Sequence, residues 1–468
     1  MTTAETLLLG SAVDMAAAVR KGGTNAVALV DAALARIAAT NGRVNAFTAT
    51  LAERARSRAA AIDRLPFAAT LPLRGVPFAV KNLFDIEGLT TLAGSKIEAG
   101  ATAAKRDAVL VRRLEAAGAV LVGALNMDEY AYGFTTENSH AGATRNPHDA
   151  ARSAGGSSGG SGAAVAAGQV PIALGSDTNG SIRVPASLCG VFGLKPTFGR
   201  LPRTGSYPFV ASLDHLGPFA RNVADLSLAY DAMQGIDPDD PACADRAVAP
   251  VSTLLGKSVR TLRIAVLGGW FERMAGAHAR AAVGVIAEAL GAVATVEWPL
   301  AEAARAAAFL ITNAEGSNLH LSDLRTRAQD FEPLSRDRFL AGALLPAHWV
   351  LQAQRVRHQA ACQAAALFGR FDLLLAPATP VAAPLLGTEW IELGGERLPA
   401  RASLGLLTQP ISAIGLPTVA VPVWGAHPTL PIGVQLIAAP WREDIALRCA
   451  AFLEASGMVS SPIGRAAG

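Results

Sequence analysis

Three residues of the chain, Lys81, Ser157 and Ser181, lie in segments that could supply an activated nucleophile. Lys81 stands in the apolar run RGVPFAVKNLF, Ser157 is the first serine of GGSSGGS, and Ser181 ends SDTNGS. A serine hydroxyl is almost fully protonated at neutral pH, so it needs a base within hydrogen-bond reach. No histidine lies in the Gly/Ser segment, but burial can lower the pKa of a lysine to about 7–8. These residue types favour serine-based acyl transfer with Lys81 as the base.

The residues Thr178, Asn179, Gly180 and Ser181 form a candidate oxyanion hole. Glycine and asparagine tolerate left-handed backbone conformations, so successive N–H groups in this segment can converge on one point. A helix that begins just after Ser181 would add the partial positive charge of its N-terminus. We therefore expect the turn to stabilise the oxyanion that forms when a hydroxyl attacks a carbonyl carbon.

Each of these residues also has an ordinary structural interpretation. Ser181 could cap a helix, Ser157 could be a loop hydroxyl, and Lys81 could extend from a strand into solvent. A glycine-rich segment that opens a helix could also bind phosphate. However, GGSSGGSG lacks the GK[ST] ending of a P-loop, and no G-x-G-x-x-G opens a dinucleotide-binding unit.

Alternating strands and helices are predicted to position these residues. The first group is a β-like run over 74–84, a helix over 106–117 and a buried strand over 119–125. The second is a helix over 160–167 and a strand over 170–174, followed by the turn and a short helix. This order favours an α/β fold with a central mixed β-sheet covered by helices on both faces.

The rest of the chain continues the same pattern, and we expect a single domain over residues 1–468. Residues 300–370 are mostly helical, and the wider segment 240–370 is a candidate for a more helical lobe. Further predicted elements are helices over 12–40, 49–64, 277–290 and 441–455, and strands over 263–267, 373–376, 418–423 and 432–438.

Composition argues against several classes of function. The chain has 468 residues, 51% of them hydrophobic, and a formal net charge of +3 without the basic stripe that binds nucleic acid. Apolar runs end well before the roughly 18 residues of a membrane span, and the N-terminus lacks a signal-peptide pattern. Four cysteines without CxxC spacing fit a reducing compartment and indicate no zinc site. We expect a cytoplasmic protein with no metal or other cofactor and no nucleic-acid or membrane partner.

Nearly the whole chain resembles the amidase signature family. The similar segments are RGVPFAVKNLFD, NMDEYAYGFTTENS, the Gly/Ser segment, GLKPTFGR, SLDHLGPFARNVADLSL, FDLLLAPATP, IGLPTVAVPV and LPIGVQLIA. The resemblance implies a Ser–cisSer–Lys triad, with Ser181 as the nucleophile, Lys81 as the base and Ser157 as the bridging residue in a cis peptide bond. One departure is visible, because many members have two glycines where this chain has Asn179–Gly180; asparagine is the least disruptive replacement there.

Within the family, the chain is most similar to hydrolases of small urea-like amides, and it also resembles the A subunits of tRNA-dependent amidotransferases. The resemblance implies a small amide substrate, homodimerisation and a small helical partner subunit. The alternatives are a glutaminase subunit of an amidotransferase and a non-catalytic partner-binding homologue. The presence of all three triad residues argues against the last of these.

An anionic substrate would need a cation at the site, because a guanidinium matches a carboxylate in bidentate geometry. Arg183 could instead pair with Asp177 to hold the turn, and Tyr130 and Tyr132, which could line the pocket, could instead pack in the core. His320, Arg325 and Arg327 could lie on a solvated helix face. The candidate substrate contacts are Tyr130, Arg183, His320, Arg325 and Arg327.

Overall fold

A mixed β-sheet of eleven strands forms the centre of the structure, a computed structural model that describes residues 3–66 and 70–465. Three separate strand pairs flank it: Glu137–Asn138 with Gly142–Ala143, Arg145–Asn146 with Asp149–Ser153, and Trp390–Leu393 with Glu396–Pro399. The strands of the central sheet are β1 (Phe47–Thr50), β2 (Pro77–Lys81), β3 (Val120–Leu125), β4 (Ile172–Asp177), β5 (Phe192–Lys195), β6 (His215–Ala220), β7 (Ile264–Leu267), β8 (Ala294–Val296), β9 (Leu373–Pro377), β10 (Thr418–Val423) and β11 (Ile432–Ala438).

The sheet combines two parallel groups with an antiparallel centre. Its spatial order is β1-β3-β2-β4-β6-β5-β10-β11-β9-β7-β8. Strand β2 runs parallel to β3 and β4, and β7 runs parallel to β8 and β9, whereas the other neighbours are antiparallel. Because β2 and β4 are parallel neighbours, their carboxyl ends meet at one edge of the sheet.

Helices connect the strands and surround the sheet. None of them, within the ranges 3–66 and 70–465, is long and apolar enough to cross a membrane. In chain order the helices are α1 (Ala4–Leu8), α2 (Ala12–Arg20), α3 (Ala26–Val44), α4 (Ala52–Asp63), α5 (Val109–Ala116), α6 (Gly159–Ala166), α7 (Arg183–Cys189), α8 (Val223–Met233), α9 (Trp270–Arg273), α10 (Ala277–Leu290), α11 (Ala301–Leu319), α12 (Leu321–Thr326), α13 (Pro333–Ala343), α14 (Ala347–Phe368), α15 (Ala400–Ser403), α16 (Gln409–Ala413) and α17 (Glu443–Ala455).

The two faces of the sheet belong to two different hydrophobic cores. Phe78 and Val80 of β2 pack in one core together with residues of α8, while Ala79 between them packs in the other together with residues of α6. Successive side chains of a strand point to opposite faces, so this division places helices on both sides of the sheet. The α/β fold with a mixed sheet covered on both faces, predicted from the sequence, is confirmed.

Most predicted elements exist, although some bounds differ. The helix over 277–290 and the strands over 418–423 and 432–438 have the predicted limits, and 300–370 is mostly helical. The predicted helix over 49–64 begins later, at Ala52, because the preceding residues pair with β3 as a strand. Strand β6 was not predicted, since its sequence HLGPFA contains Gly and Pro and no β-branched residue.

Candidate functional site

Parallel pairing of β2 with β4 brings Lys81 next to the Gly/Ser segment. Val80 is in register with Leu174, so Lys81 at the end of β2 reaches Ser176 in β4. The Lys81 Nζ atom lies 2.8 Å from Ser176 Oγ and 2.7 Å from Ser157 Oγ. The amine therefore contacts two hydroxyl groups at hydrogen-bond distance at the carboxyl edge of the sheet.

Lys81 is fully buried, and this burial lowers the pKa of its ammonium group from the ordinary 10.5 to about 7. Desolvation disfavours the charged form of an amine. The carboxylates of Asp128, Asp214 and Asp177 act in the opposite direction and limit the fall in pKa. A substantial fraction of Lys81 is therefore uncharged at neutral pH and able to accept a proton from a hydroxyl group.

Ser157 lies just before α6, in a segment held by backbone contacts. The peptide bond between Gly156 and Ser157 is cis. The carbonyl of Ser157 accepts a hydrogen bond from the backbone N–H of Asp128 at 3.2 Å, and the N–H of Ser158 donates to the carbonyl of Ser181 at 3.3 Å. The segment that carries Ser157 is thereby fixed against the turn that carries Ser181.

The turn that precedes the candidate nucleophile is closed by side chains from distant parts of the chain. Gly180 has a φ of +138°, and a Cβ at this position would lie 2.0 Å from Thr408 Oγ1, so glycine is required. Thr408 Oγ1 donates to the carbonyl of Asn179 at 2.7 Å, and Thr178 Oγ1 donates to Asp214 at 2.6 Å. The backbone of the predicted oxyanion hole is therefore fixed before any substrate binds.

Asp177 and Arg183 flank this turn and form a fully buried ion pair with two hydrogen bonds of 2.9 Å. Burial alone would raise the pKa of Asp177, but the Arg183 guanidinium holds it below its usual range. All five N–H donors of Arg183 have protein acceptors, which are Asp177, Thr408, Gln435 and Ser412. Arg183, predicted as a substrate contact, therefore has no donor left for a substrate and instead holds the turn.

A small cavity lies at Ser181 and is lined from several parts of the chain. These are the turn, the segment after Tyr130, Phe209 between β5 and β6, the helices α11 and α13, and the region around α15 and α16. Among the described residues that line it, Arg338 is the one positive charge and none carries a carboxylate. The lining residues are Ala131, Tyr132, Gly133, Phe134, Thr178, Asn179, Ser181, Phe209, Phe309, Thr312, Arg338, Ala402 and Gln409.

Arg338 lies in α13 and was not predicted as a site residue. Its guanidinium carbon lies 3.8 Å from the centroid of the Tyr132 ring, and Nη2 donates to the carbonyl of Tyr132 at 2.7 Å. The guanidinium has no other hydrogen bond to the described residues, so its remaining N–H groups are available to a carboxylate. The sequence offers no local signal that distinguishes Arg338 from Arg336, which instead pairs with Asp337.

A buried carboxylate fixes the start of the helix that carries Arg338. Glu129 accepts a hydrogen bond from the backbone N–H of Glu332 at 2.6 Å and lies 3.1 Å from Nε2 of His140. The side chain of Glu332 in turn accepts from the N–H of Ser139 at 2.7 Å. These reciprocal contacts attach the N-terminus of α13 to the segment that continues into the cavity wall.

The other four predicted substrate contacts are not brought to this cavity. Tyr130 and His320 pack against each other with 3.9 Å between ring centroids, and Tyr130 donates its hydroxyl to Glu98 at 2.9 Å. Burial lowers the pKa of His320 to about 4, so its ring is neutral at physiological pH. Arg325 and Arg327 are exposed. None of the four is among the described residues that line the cavity, because His320 turns inward between α11 and α12 and the arginines face outward.

Comparison with known protein families gives a match over most of the chain. A family model described as Amidase matches residues 28–447. The chain is 60% identical over 449 residues to AtzE of Pseudomonas sp. (strain ADP), which is named as a subunit of 1-carboxybiuret hydrolase, covering 95% of this chain and 98% of that protein. It is 40% identical over 451 residues to the A subunit of the glutamyl-tRNA(Gln) amidotransferase of Moorella thermoacetica, covering 90% and 91% of the two chains.

Solved structures show the same similarity. One, described as "An unexpected vestigial protein complex reveals the evolutionary origins of an s-triazine catabolic enzyme", has a TM-score of 0.95 and 60% identity, covering 96% of this chain and 99% of that chain. Another, of 6-aminohexanoate cyclic dimer hydrolase complexed with substrate, has a TM-score of 0.84 and 31% identity, covering 96% and 97%. The fold is therefore shared with several enzymes that differ in substrate.

Proposed function

The chain belongs to the amidase signature family and is a hydrolase of C–N amide bonds, and on this basis we propose that it acts on 1-carboxybiuret in s-triazine (cyanuric acid) degradation. The products are urea-1,3-dicarboxylate and ammonia. The observation that carries this proposal is the 60% identity, over 95% of the chain, with the Pseudomonas protein of that name. The cation in the cavity at Ser181 supports it, because the substrate has a carboxylate at the end opposite to the amide that is cleaved.

In the proposed mechanism Ser181 is the nucleophile, Lys81 the base and Ser157 the relay between them. The uncharged Lys81 amine accepts the hydroxyl proton of Ser157, while the Ser157 oxygen accepts the hydroxyl proton of Ser181. The Ser181 oxygen then attacks the terminal carbonyl carbon of the substrate. Backbone N–H groups of the turn stabilise the oxyanion. The C–N bond breaks as the leaving NH2 group gains, through the relay, the proton that Lys81 took up, and ammonia leaves. Water then attacks the Ser181 ester, and the carboxylate product is released.

The 2.7 Å separation between Lys81 Nζ and Ser157 Oγ supports the first proton transfer. We expect kcat/KM to rise with pH to a midpoint near 7 and to level above it, because the buried amine must be uncharged to act as a base. Ammonia release measured from about pH 5 to about pH 9 at subsaturating substrate checks this expectation. A midpoint near the ordinary lysine value, or a rate that falls across neutral pH, would contradict the assignment of the base.

Arg338 is proposed to bind the substrate carboxylate. We expect Arg338→Met to lower kcat/KM for 1-carboxybiuret by roughly 10- to 100-fold, since hydrogen bonds to charged groups contribute about 1.5–3 kcal/mol. The same change should have little effect on biuret, which lacks the carboxylate. Ammonia release from the two substrates, compared in the wild type and the variant, gives the measurement.

Arg336→Met is the matched control for this experiment, because Arg336 lies on the same helix but pairs with Asp337 and does not line the cavity. It should leave both rates near those of the wild type. Equal losses on 1-carboxybiuret and biuret in Arg338→Met would indicate that the arginine supports the protein structure and does not bind the carboxylate.

A glutaminase subunit of a tRNA-dependent amidotransferase is the second candidate, supported by the 40% identity with the Moorella protein. Free glutamine has an ammonium group as well as a carboxylate. None of the described residues that line the cavity carries a carboxylate to pair with that ammonium, which favours the first candidate. Ammonia release from 1-carboxybiuret and from glutamine, each with purified protein, decides between them: turnover of glutamine alone would overturn the proposed function.

We propose that the protein acts in the cytoplasm as a homodimer with a small helical partner subunit. Both relatives are named as subunits, and the structure with 60% identity is described as a protein complex. Large apolar side chains are exposed on and between α13 and α14, among them Leu344 with 83% and Leu351 with 63% of their surface accessible. Exposed apolar side chains grouped in this way are typical of interaction surfaces.

A further inference from the structure

Asn179, two residues before the candidate nucleophile, has a side chain that is held at one end only. Its Nδ2 group donates to Thr312 Oγ1 at 2.7 Å, which fixes the orientation of the amide. Its Oδ1 atom is buried and has no hydrogen-bond partner among the described residues. Both Asn179 and Thr312 belong to the wall of the cavity at Ser181. An acceptor without a donor thus lies beside the reacting centre.

Such an acceptor is costly in a folded protein, because most buried polar atoms have a hydrogen-bond partner. The cost would be explained if a ligand supplied the missing donor. The backbone does not require asparagine here, because Asn179 is not among the residues with positive φ, whereas the neighbouring Gly180 is. The turn itself is held by Thr408, which bonds to the main-chain carbonyl of Asn179 and not to its side chain. The side-chain amide is therefore free to have a role of its own.

We propose that Asn179 Oδ1 accepts a hydrogen bond from a substrate N–H that lies between two carbonyl groups, and that this contact makes Asn179 a specificity-determining residue for urea-like amides. The inference rests on the proposed function and extends it. A biuret-type substrate carries an N–H next to the carbonyl that is attacked, whereas a malonamide-type substrate has CH2 at the same position and equal length. A site built around an acceptor rejects an analogue that lacks the donor.

The test compares biuret with malonamide, in the wild type and in Asn179→Ala. The two substrates differ in intrinsic reactivity, so their kcat/KM values are not compared directly. The informative quantity is the change in the ratio of the two kcat/KM values between the wild type and the variant. We expect the biuret-to-malonamide ratio to fall by about tenfold or more in Asn179→Ala. Alanine keeps the backbone N–H of the turn, so any general loss of oxyanion stabilisation affects both substrates alike.

Two further variants sharpen the experiment. Thr312→Val removes the acceptor that orients the amide while keeping the shape of the side chain, and it should lower the ratio by a smaller factor. Asn179→Gly, which also lacks a side-chain acceptor, serves the same purpose as the alanine variant if that variant does not fold, which thermal unfolding reports. Equal losses on biuret and malonamide would show that Asn179 acts only through the turn, and would overturn the inference. A wild type that releases ammonia from neither these diamides nor 1-carboxybiuret would overturn the proposed function as well.

Discussion

Ser181→Ala is expected to lower kcat for ammonia release by a factor on the order of 10⁶, the scale on which loss of a serine nucleophile reduces hydrolysis in serine hydrolases. Alanine removes the oxygen that, in the proposed mechanism, forms the bond to the carbonyl carbon. It leaves the backbone N–H groups of the turn in place, so the variant should still bind substrate. Single-turnover assays with enzyme in excess over substrate measure the residual rate.

Ser158→Ala is the matched control, because Ser158 lies beside Ser157 and, within the described part of the chain, its hydroxyl bonds to the backbone groups of Ser176 and to no other group. The decrease in kcat caused by Ser158→Ala should be small in comparison with the decrease caused by Ser157→Ala. The double variant with Ser157→Ala and Ser181→Ala should be no slower than Ser181→Ala alone, because the proposed mechanism uses the two hydroxyls as one unit. Residual activity of Ser181→Ala within tenfold of the wild type would contradict the assignment of the nucleophile.

The sequence was sufficient to predict the fold class and to mark Lys81, Ser157 and the turn as candidates, because each of them has a local signal. An apolar run with one lysine forms a buried strand. In a segment rich in Gly and Ser, the backbone can pack closely against neighbouring parts of the chain. Gly180 illustrates the second signal, since no other residue would fit beside Thr408. The signals are local in the sequence, although the contacts that need them, such as that of Gly180 with Thr408, are long-range.

The residues that the sequence did not reveal reach the site through long-range packing. Arg338 enters the cavity because α13 packs against α11 and is attached to Glu129, and no property of the surrounding sequence reports this orientation. Thr312 and Thr408 are 133 and 229 positions away from Asn179, to which they bond. Conversely, Arg325 and Arg327 have the right charge but lie on an exposed part of the chain. Charge and residue type therefore indicate which residues could bind a substrate, but only the tertiary structure shows which of them lie in the cavity.

Arg183→Met is expected to lower the free energy of unfolding by about 3–5 kcal/mol, because it leaves the buried carboxylate of Asp177 without its partner. The guanidinium also supplies hydrogen bonds to Thr408 and Gln435, so their acceptor atoms lose partners as well. Denaturation by urea, followed by circular dichroism, measures the change. Activity should fall with stability, because the same ion pair closes the turn that carries Ser181.

The double variant with Asp177→Asn and Arg183→Met separates the two contributions. Asparagine removes the negative charge, so if the cost arises from an unpaired buried carboxylate, the double variant should be more stable than Arg183→Met alone. Arg183 keeps the pKa of Asp177 low, so this pKa should rise in Arg183→Met. The loss of stability relative to the wild type should therefore be smaller at acidic pH, where the Asp177 carboxyl group of the variant is protonated, than at neutral pH. If Arg183→Met costs less than about 1 kcal/mol, or is equally unstable at acidic and neutral pH, the ion pair does not hold the turn.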